Sequence, residues 1–261
     1  MKAVILAGGV GSRLFEETRV KPKPLVNIKN NPIILLIILY LKKYHVREIF
    51  ICLGYKGKLI KKYFDEYVKK NKLNYEYNNS KKILHIKDGK LSGIKINFCN
   101  TGLNTGTGGR LLKIKKFFNK DDFFFMMYGD GLTDLNLREL KNFHLKKKKI
   151  ATMTVVKPKN RFGLAFCRGD NLISFNEKKR REKDTKNWIN GGIFCLNYNI
   201  FNYIKNFDEF FEHKPIQKLI KKNQINVFKH MKFWACMDTL KDKLELESQW
   251  RSNRKWTNLF K

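Results

Sequence analysis

Two short stretches near the start of the chain hold residues whose types and spacing could handle phosphate. Gly8-Gly9-Val10-Gly11-Ser12-Arg13 follows the unbroken apolar run Ala3-Val4-Ile5-Leu6-Ala7, and Lys21-Pro22-Lys23-Pro24 comes soon after. Glycines let a backbone turn tightly and bring its N–H groups against an anion. Arg13 adds a planar fork that grips phosphate oxygens two at a time. The two lysines sit on a segment stiffened by proline, so their ammonium groups are presented from a restricted backbone. Together these features point to a nucleoside triphosphate. The loop is neither of the commoner glycine motifs. A dinucleotide fingerprint needs glycine where Leu14 stands, and a Walker A loop needs Gly-Lys-Ser/Thr where Gly11-Ser12-Arg13 stands.

Three further positions carry candidate chemistry, each with a plainer alternative. Asp130 lies between Gly129 and Gly131, directly after the apolar run Phe123 to Tyr128. The ligand crevice of an open α/β sheet lies beyond its C-terminal strand ends. A Mg²⁺ ion there takes few carboxylates alongside waters and substrate phosphates. Asp130 could equally be a turn residue. The stretch Thr101 to Arg110 is a second glycine-rich loop, which could hold the base of a nucleotide or simply join a strand to a helix. Asp238 and Thr239 precede a helical pattern and could serve only to cap it.

The elements that must position these residues follow from the apolar periodicity. Ala3 to Ala7 reads as a strand buried on both faces. Pro32 to Tyr44 reads as a helix, Glu48 to Leu53 as a strand, and Leu59 to Val68 as an amphipathic helix with Ile60, Phe64 and Tyr67 on one side. Strand and helix in alternation begin a doubly wound α/β sheet. Asn71 to Asn100 breaks that rhythm and suggests a hairpin and a further strand. Helices are expected over Leu111 to Phe118, Leu135 to Phe143, Ile200 to Phe207, Pro215 to Lys222 and Leu240 to Trp250. Asn136 and Glu139 stand at capping-box spacing before the second of these. Strands are expected over Ala151 to Val156, from Arg161-Phe162-Gly163 onward, over Leu172 to Phe175 and over Trp188 to Leu196, and Val227 to Trp234 leads on to Met237-Asp238-Thr239. No linker divides the chain, so one domain over 1–261 is expected, with the hairpin and a basic loop as insertions.

Composition narrows the class of protein. Hydrophobic residues make up 43% of the 261, enough for a packed core. The net charge of +32 would by itself suggest nucleic acid or an anionic membrane. The lysines, however, are spread over the whole length, and no nucleic-acid-binding signature accompanies them, so no specific nucleic-acid partner is expected. Five scattered cysteines without a C-x-x-C pair suit a reducing cytoplasm. The histidines show no zinc-ligand spacing. The longest apolar run, Ile33 to Leu41, is too short to span a bilayer, and no export signal is read at the N-terminus.

On these residues the chain resembles the sugar-nucleotide pyrophosphorylases, whose signature is L-A-G-G-x-G-[ST]-R-L followed by a P-K-P segment. The likeness runs nearly the full length through GYKGKLIKKYF, TGGRL, YGDGLTDL, RFG, INGG and FWACMDTLKDK. The E-E-T after the loop, K-P-K-P and M-D-T-L resemble the cytidylyl-transferring branch more than the thymidylyl- or uridylyltransferases. The resemblance implies a mixed, mainly parallel Rossmann-like sheet flanked by helices, a homo-oligomer, and Mg²⁺-assisted attack of α-D-glucose 1-phosphate on the α-phosphorus of CTP.

It also implies roles for named residues. Leu6, Ala7, Gly8, Gly9, Val10, Gly11 and Ser12 would wrap the nucleotide, and Gly129 would touch it. Arg13 would hold the β- and γ-phosphates, and Lys23 would stabilise the transition state. Thr105 and Arg110 would face the cytidine, and Asp130 and Asp238 would hold the metal. Glu177, Lys178, Asn190 and Gly191 would bind the sugar phosphate. Two departures bear on specificity. The family's E-K-P is Glu177-Lys178-Lys179 here, and its serine-rich run is Asn104-Thr105-Gly106. Transfer from UTP or dTTP, or an inactive regulatory relative, are the alternatives. The presence of Arg13, Lys23, Asp130 and Asp238 together argues for a working enzyme.

Overall fold

The computed structural model describes residues 1–157, 164–176 and 188–252. In chain order the elements begin with β1 (Lys2–Ala7), the single-turn helix α1 (Phe15–Thr18), the short antiparallel pair β2 (Asn27–Ile28) and β3 (Asn31–Pro32), α2 (Ile33–Lys43), β4 (Glu48–Leu53) and α3 (Gly57–Lys70). Next come β5 (Tyr75–Asn78), β6 (Ile83–Ile86), β7 (Ile94–Asn100), α4 (Thr107–Ile114), β8 (Phe123–Tyr128), β9 (Gly131–Thr133) and α5 (Leu137–Lys147). The remainder is β10 (Ala151–Val156), β11 (Leu164–Arg168), β12 (Asn171–Asn176), β13 (Trp188–Asn197), α6 (Lys214–Lys221), β14 (Ile225–His230), β15 (Trp234–Cys236) and α7 (Leu240–Ser252).

The chain gathers into two compact units. The first holds Met1–Asn104, Met127–Asp134 and the C-terminal segment from Ala235; the second holds Thr105–Met126 and Leu135–Trp234. In the first unit β1, β4 and β7 run parallel, with Leu6 opposite Cys52 and Cys52 opposite Cys99. β6 and β5 extend that sheet antiparallel. Strands covered on both faces read as continuous apolar runs, and Ala3, Val4, Ile5 and Ile51 are fully buried. Helix α2 is apolar on all sides and buries Ile33 to Ile38, as a fully enclosed helix must. Helix α3 buries only Gly57, Ile60, Phe64 and Val68, one stripe at helical spacing. A Cβ at Gly57 would lie 2.8 Å from the Leu53 Cβ, so glycine lets α3 start hard against the end of β4.

In the second unit five strands pair in the order β10, β14, β12, β11, β13, and β13 pairs back onto β10. The pairings therefore close a ring, with β10 and β14 parallel and the other contacts antiparallel. A ring leaves no long free edge, which suits a mostly antiparallel set of short strands. The architecture is the α/β fold with Rossmann-like parallel strands and flanking helices that the sequence predicts, its parallel character concentrated in the first unit. Helix α5 begins at its predicted cap, with the Asn136 carboxamide oxygen accepting from the backbone N–H of Arg138 and Glu139. No helix of the described residues is long and apolar enough to cross a membrane.

Candidate active site

The glycine loop of the first unit is built from three anchors. Gly11 adopts the left-handed conformation, φ +70°, that turns the chain out of β1 into the 3₁₀ turn Ser12–Leu14. Buried Leu14 pins the far side of that turn. Thr18 is 3% exposed, and its hydroxyl oxygen lies 3.1 Å from the Gly11 carbonyl and 3.0 Å from that of Leu14. The near side is held by the Tyr55 backbone N–H, which donates to the Gly8 carbonyl at 3.1 Å. Between these anchors Gly9 is exposed, and no atom lies within 4 Å of where its Cβ would be. Gly9 is thus not demanded by the protein's own packing. The turn carries the Arg13 side chain out to solvent, 70% exposed.

Four charged side chains converge next to this turn. Lys23 stands in the 3₁₀ turn Lys23–Leu25, and a Cβ on Gly11 would lie 3.3 Å from its own Cβ. The Lys23 ammonium donates to Asp130 Oδ2 at 2.6 Å and to Asp238 Oδ1 at 2.5 Å. Arg13 Nη1 donates to the other oxygen of Asp238 at 2.7 Å. The Asp238 side chain is only 8% exposed and that of Lys23 11%. Burial favours the neutral amine, but the charges of Asp130 and Asp238 outweigh it and raise Lys23 above its ordinary value. Lys23 is therefore an ammonium ion at any physiological pH.

Local chemistry explains why the two aspartates meet. Asp130 follows β8, Asp238 follows β15, and the short strands β9 and β15 pair. The Met237 N–H donates to the Asp130 carbonyl at 2.9 Å, which brings the two side chains to one place. The plainer reading of Asp238 does not hold: helix α7 is capped by Thr239 with Asp242. The Asp242 carboxylate accepts from the Thr239 backbone N–H at 2.8 Å and its hydroxyl at 2.8 Å, and the Asp242 N–H donates back to that hydroxyl at 3.3 Å. This is a capping box with aspartate at its third position. It spares the Asp238 side chain for the lysine and arginine.

Asp130, Cys236 and Asp238 bring ligand atoms within 4.8 Å of one another. Two carboxylates at strand ends are the donors a hard divalent ion takes, and the Lys23 ammonium between them shows that this locus already favours a cation. Cys236 does not belong to such a set. Burial and the two carboxylate charges raise its thiol well above the usual range, so it stays a neutral S–H. The residues present fit a hard divalent cation held by Asp130 and Asp238.

Two residues that sequence reasoning leaves without a role also shape this site. Glu17 in α1 pairs with Lys243 of α7 and, at 3.1 Å, with Lys21. The Lys243 hydrogen bond, with Lys21 helping against the cost of burial, holds its carboxyl below the ordinary value. Thr18 ties the glycine turn as described. Both belong to the E-E-T string, but the partner of Glu17 lies more than two hundred residues away in sequence, and no local pattern announces it.

The remaining predicted positions fall as follows. Gly129 belongs to the first unit; its N–H donates to the Leu6 carbonyl at 3.1 Å, and a Cβ there would meet that oxygen at 3.0 Å. Thr105 and Arg110 lie in the second unit. The Lys113 ammonium donates to the Thr105 hydroxyl at 3.0 Å, and Arg110 is 4% exposed within α4. Asn190 and Gly191 lie in β13. Asn190 Oδ1 accepts from the Gly192 N–H at 2.8 Å, and the Gly191 carbonyl accepts from Trp234 Nε1 at 2.7 Å. Glu177 and Lys178 lie outside the described residues, as do Lys179 and Arg161 to Gly163. Among the described positions, the structure brings together Leu6, Gly11, Arg13, Lys23, Gly129, Asp130 and Asp238 in one unit.

Comparison with known proteins adds to this geometry. A family model for nucleotidyl transferases matches residues 2–251. A glucose-1-phosphate cytidylyltransferase of Salmonella typhimurium is 37% identical over 255 residues, which cover 97% of each chain. A Bacillus subtilis protein named "probable glucose-1-phosphate cytidylyltransferase" is 35% identical over 261 residues, 97% of this chain and 98% of that one. Among solved structures, that of UDP-glucose pyrophosphorylase complexed with UDP-glucose is similar in fold. It has a TM-score of 0.75 at 14% identity and covers 97% of this chain and 99% of that one.

Proposed function

The chain belongs to the nucleotidyl transferase family, and we propose that it transfers the cytidylyl group of CTP to α-D-glucose 1-phosphate, giving CDP-glucose and pyrophosphate. The observation that carries this is the cluster of Lys23 and Arg13 on Asp130 and Asp238, in contact with a glycine turn whose Gly9 is open to a ligand. The base and the sugar rest on the full-length relatives at 35–37% identity.

A phosphate oxygen of the sugar forms a bond to the α-phosphorus. The bond from that phosphorus to the bridging oxygen of pyrophosphate breaks, and the electron pair leaves with pyrophosphate. The nucleophile is already an anion, so no general base is needed. What the protein must supply is position and positive charge. The glycine turn offers backbone N–H groups to the nucleotide phosphates. Arg13, exposed and attached at one nitrogen, swings from Asp238 to the β- and γ-phosphates. Lys23 stabilises charge at the α-phosphorus, where a fixed cation costs no reorganisation during reaction.

Asp130 and Asp238 would hold the divalent ion, Mg²⁺ in this proposal, and when bound it neutralises polyphosphate charge and steadies the leaving pyrophosphate. Thr105 and Arg110 serve the cytidine, and Glu177, Lys178, Asn190 and Gly191 the sugar phosphate. A single catalytic domain over 1–261, a homo-oligomer and a cytoplasmic setting belong to the same proposal, the last supported by five cysteines that form no disulfide.

The test is pyrophosphate release from glucose 1-phosphate with Mg²⁺ and CTP, UTP, dTTP, ATP or GTP in separate reactions. Release with CTP alone, abolished by a chelator, is expected. Release with another nucleotide instead would overturn the base assignment, and silence with all five would overturn the reaction.

A further inference from the structure

The glycine turn runs into a helix too short to hold itself. A single helical turn such as α1 is not stable alone, and its last carbonyls have no donors within the helix. Both needs are met by the connection between β4 and α3. The Tyr55 hydroxyl donates to the Thr18 carbonyl at 3.1 Å. The Lys56 ammonium donates to the same carbonyl at 3.3 Å and also to the Arg19 carbonyl. That ammonium lies 5.1 Å from the centroid of the Tyr55 ring, so the two side chains brace each other. The Tyr55 backbone N–H holds the Gly8 carbonyl at 3.1 Å, at the other end of the segment. One residue thus fastens both ends of the chain from Gly8 to Thr18. Its own placement is fixed by the sheet: β4 lies in parallel register beside β1, with Leu53 opposite Ala7, so Tyr55 follows directly from the strand next to the one that feeds the loop.

Between the fastened ends the segment is open. Gly9 faces open space, Val10 is exposed, and Arg13 extends into solvent. The Thr18 hydroxyl passes the hold inward to the Gly11 and Leu14 carbonyls. Two fixed ends and an open middle set the backbone N–H groups of the turn before a ligand arrives, so binding has less of the chain to order. We propose that Tyr55 is a positioning residue of the nucleotide site: its phenol, acting through Thr18, keeps the glycine turn in the form that receives the triphosphate. The proposal rests on the reading of the reaction given above. Lys23 depends on other partners, the carboxylates of Asp130 and Asp238. Loss of the phenol therefore weakens triphosphate binding and leaves the chemical step alone, which is read as a raised KM with kcat unchanged.

The experiment compares the full chain with Tyr55→Phe, which removes one hydroxyl and keeps the ring and the backbone N–H. The KM for CTP should rise about three- to tenfold, the scale of one hydrogen bond. The kcat and the KM for glucose 1-phosphate should stay within about twofold. Hydrogen exchange of the unliganded protein, read by mass spectrometry, reports the clasp without turnover. Exchange over residues 8–20, a segment that includes the Leu14 N–H donating to the Gly11 carbonyl at 3.0 Å, should quicken about three- to tenfold in the variant while β1 and β4 keep the parent's rates. An unchanged KM for CTP overturns the proposal even if the melting temperature falls, since Tyr55 would then serve the fold alone. Unchanged exchange over 8–20 overturns it as well. Failure of the reaction itself is distinguishable: a parent that binds CTP in a calorimeter but releases no pyrophosphate, with binding weakened and exchange quickened in Tyr55→Phe, keeps the positioning role and loses the activity.

Discussion

The two glycine-rich loops look alike in sequence and differ in what approaches them. In the first, Gly11 needs its left-handed φ, and Gly9 faces open space. In the second, the protein's own backbone fills the room that glycine leaves. A Cβ at Gly106 would lie 2.3 Å from the Glu209 carbonyl oxygen, one at Gly108 2.9 Å from the same atom, and one at Gly109 1.7 Å from the Phe207 carbonyl oxygen. The Gly106 N–H donates to Phe207 and that of Gly109 to Glu209. Thr107 completes the junction, its hydroxyl 2.5 Å from Glu212 Oε2 and accepting from the Phe211 N–H at 2.8 Å. A run of glycines marks a close approach, but either a ligand or another part of the chain can be what comes close.

That contrast can be broken by adding one methyl group at a time. Gly109→Ala has the largest effect. Its methyl collides with backbone that cannot give way, and the cost is about 3 kcal/mol or more, read as a fall in the midpoint of urea unfolding. Gly11→Ala is intermediate. The left-handed conformation costs about 1–2 kcal/mol with a Cβ, and the methyl meets Thr18 at 3.0 Å and Lys23 at 3.3 Å, so turnover should fall with stability. Gly9→Ala should leave stability within about 0.5 kcal/mol while raising the KM for CTP. An unchanged KM would remove Gly9 from the nucleotide site.

A fourth test concerns the brace behind the loop. Glu17→Gln should cost about 1–2 kcal/mol at pH 7, where a charged hydrogen bond is lost. Because folding lowers the Glu17 pKa, its stabilisation is present above the ordinary carboxyl value of 4.5 and lost as pH falls through the folded value. The parent and Glu17→Gln should therefore converge in stability as acidification proceeds from neutrality through the folded value, measured by thermal melts across that range.

Much of the first unit was legible because its signals are local. The β1 run, the E-I-F-I-C-L strand and the all-apolar α2 announce themselves by pattern, and β4 and β10 end where the periodicity places them. Asp130 was readable as a residue between two glycines at a strand end. The missed features share a different cause. Helix α4 starts at Thr107 rather than Leu111, because chain 207–209 packs against glycines that would otherwise break a helix. Ile200 to Phe207 reads as a helix but forms only the 3₁₀ segment Tyr198–Tyr203, since its end is drawn off to meet that junction. Val227 to Trp234, which the pattern leaves without an element, divides between β14 and β15. The Thr239–Asp242 cap settles which residue ends the loop before α7, yet the sequence places Asp238 and Thr239 equally well. Glu17 has its partner across the length of the chain. Each of these depends on a contact between distant residues, which spacing cannot encode.

Lys23 tests the central claim most directly. Lys23→Ala should be compared with the parent for kcat of pyrophosphate release from CTP and glucose 1-phosphate, with folding checked by circular dichroism. Removing the cation that stabilises the α-phosphorus should lower kcat by about 10²–10³, the loss seen for a single charge-stabilising donor. A folded Lys23→Ala protein with near-normal kcat would contradict the assignment of this cluster as the reaction centre.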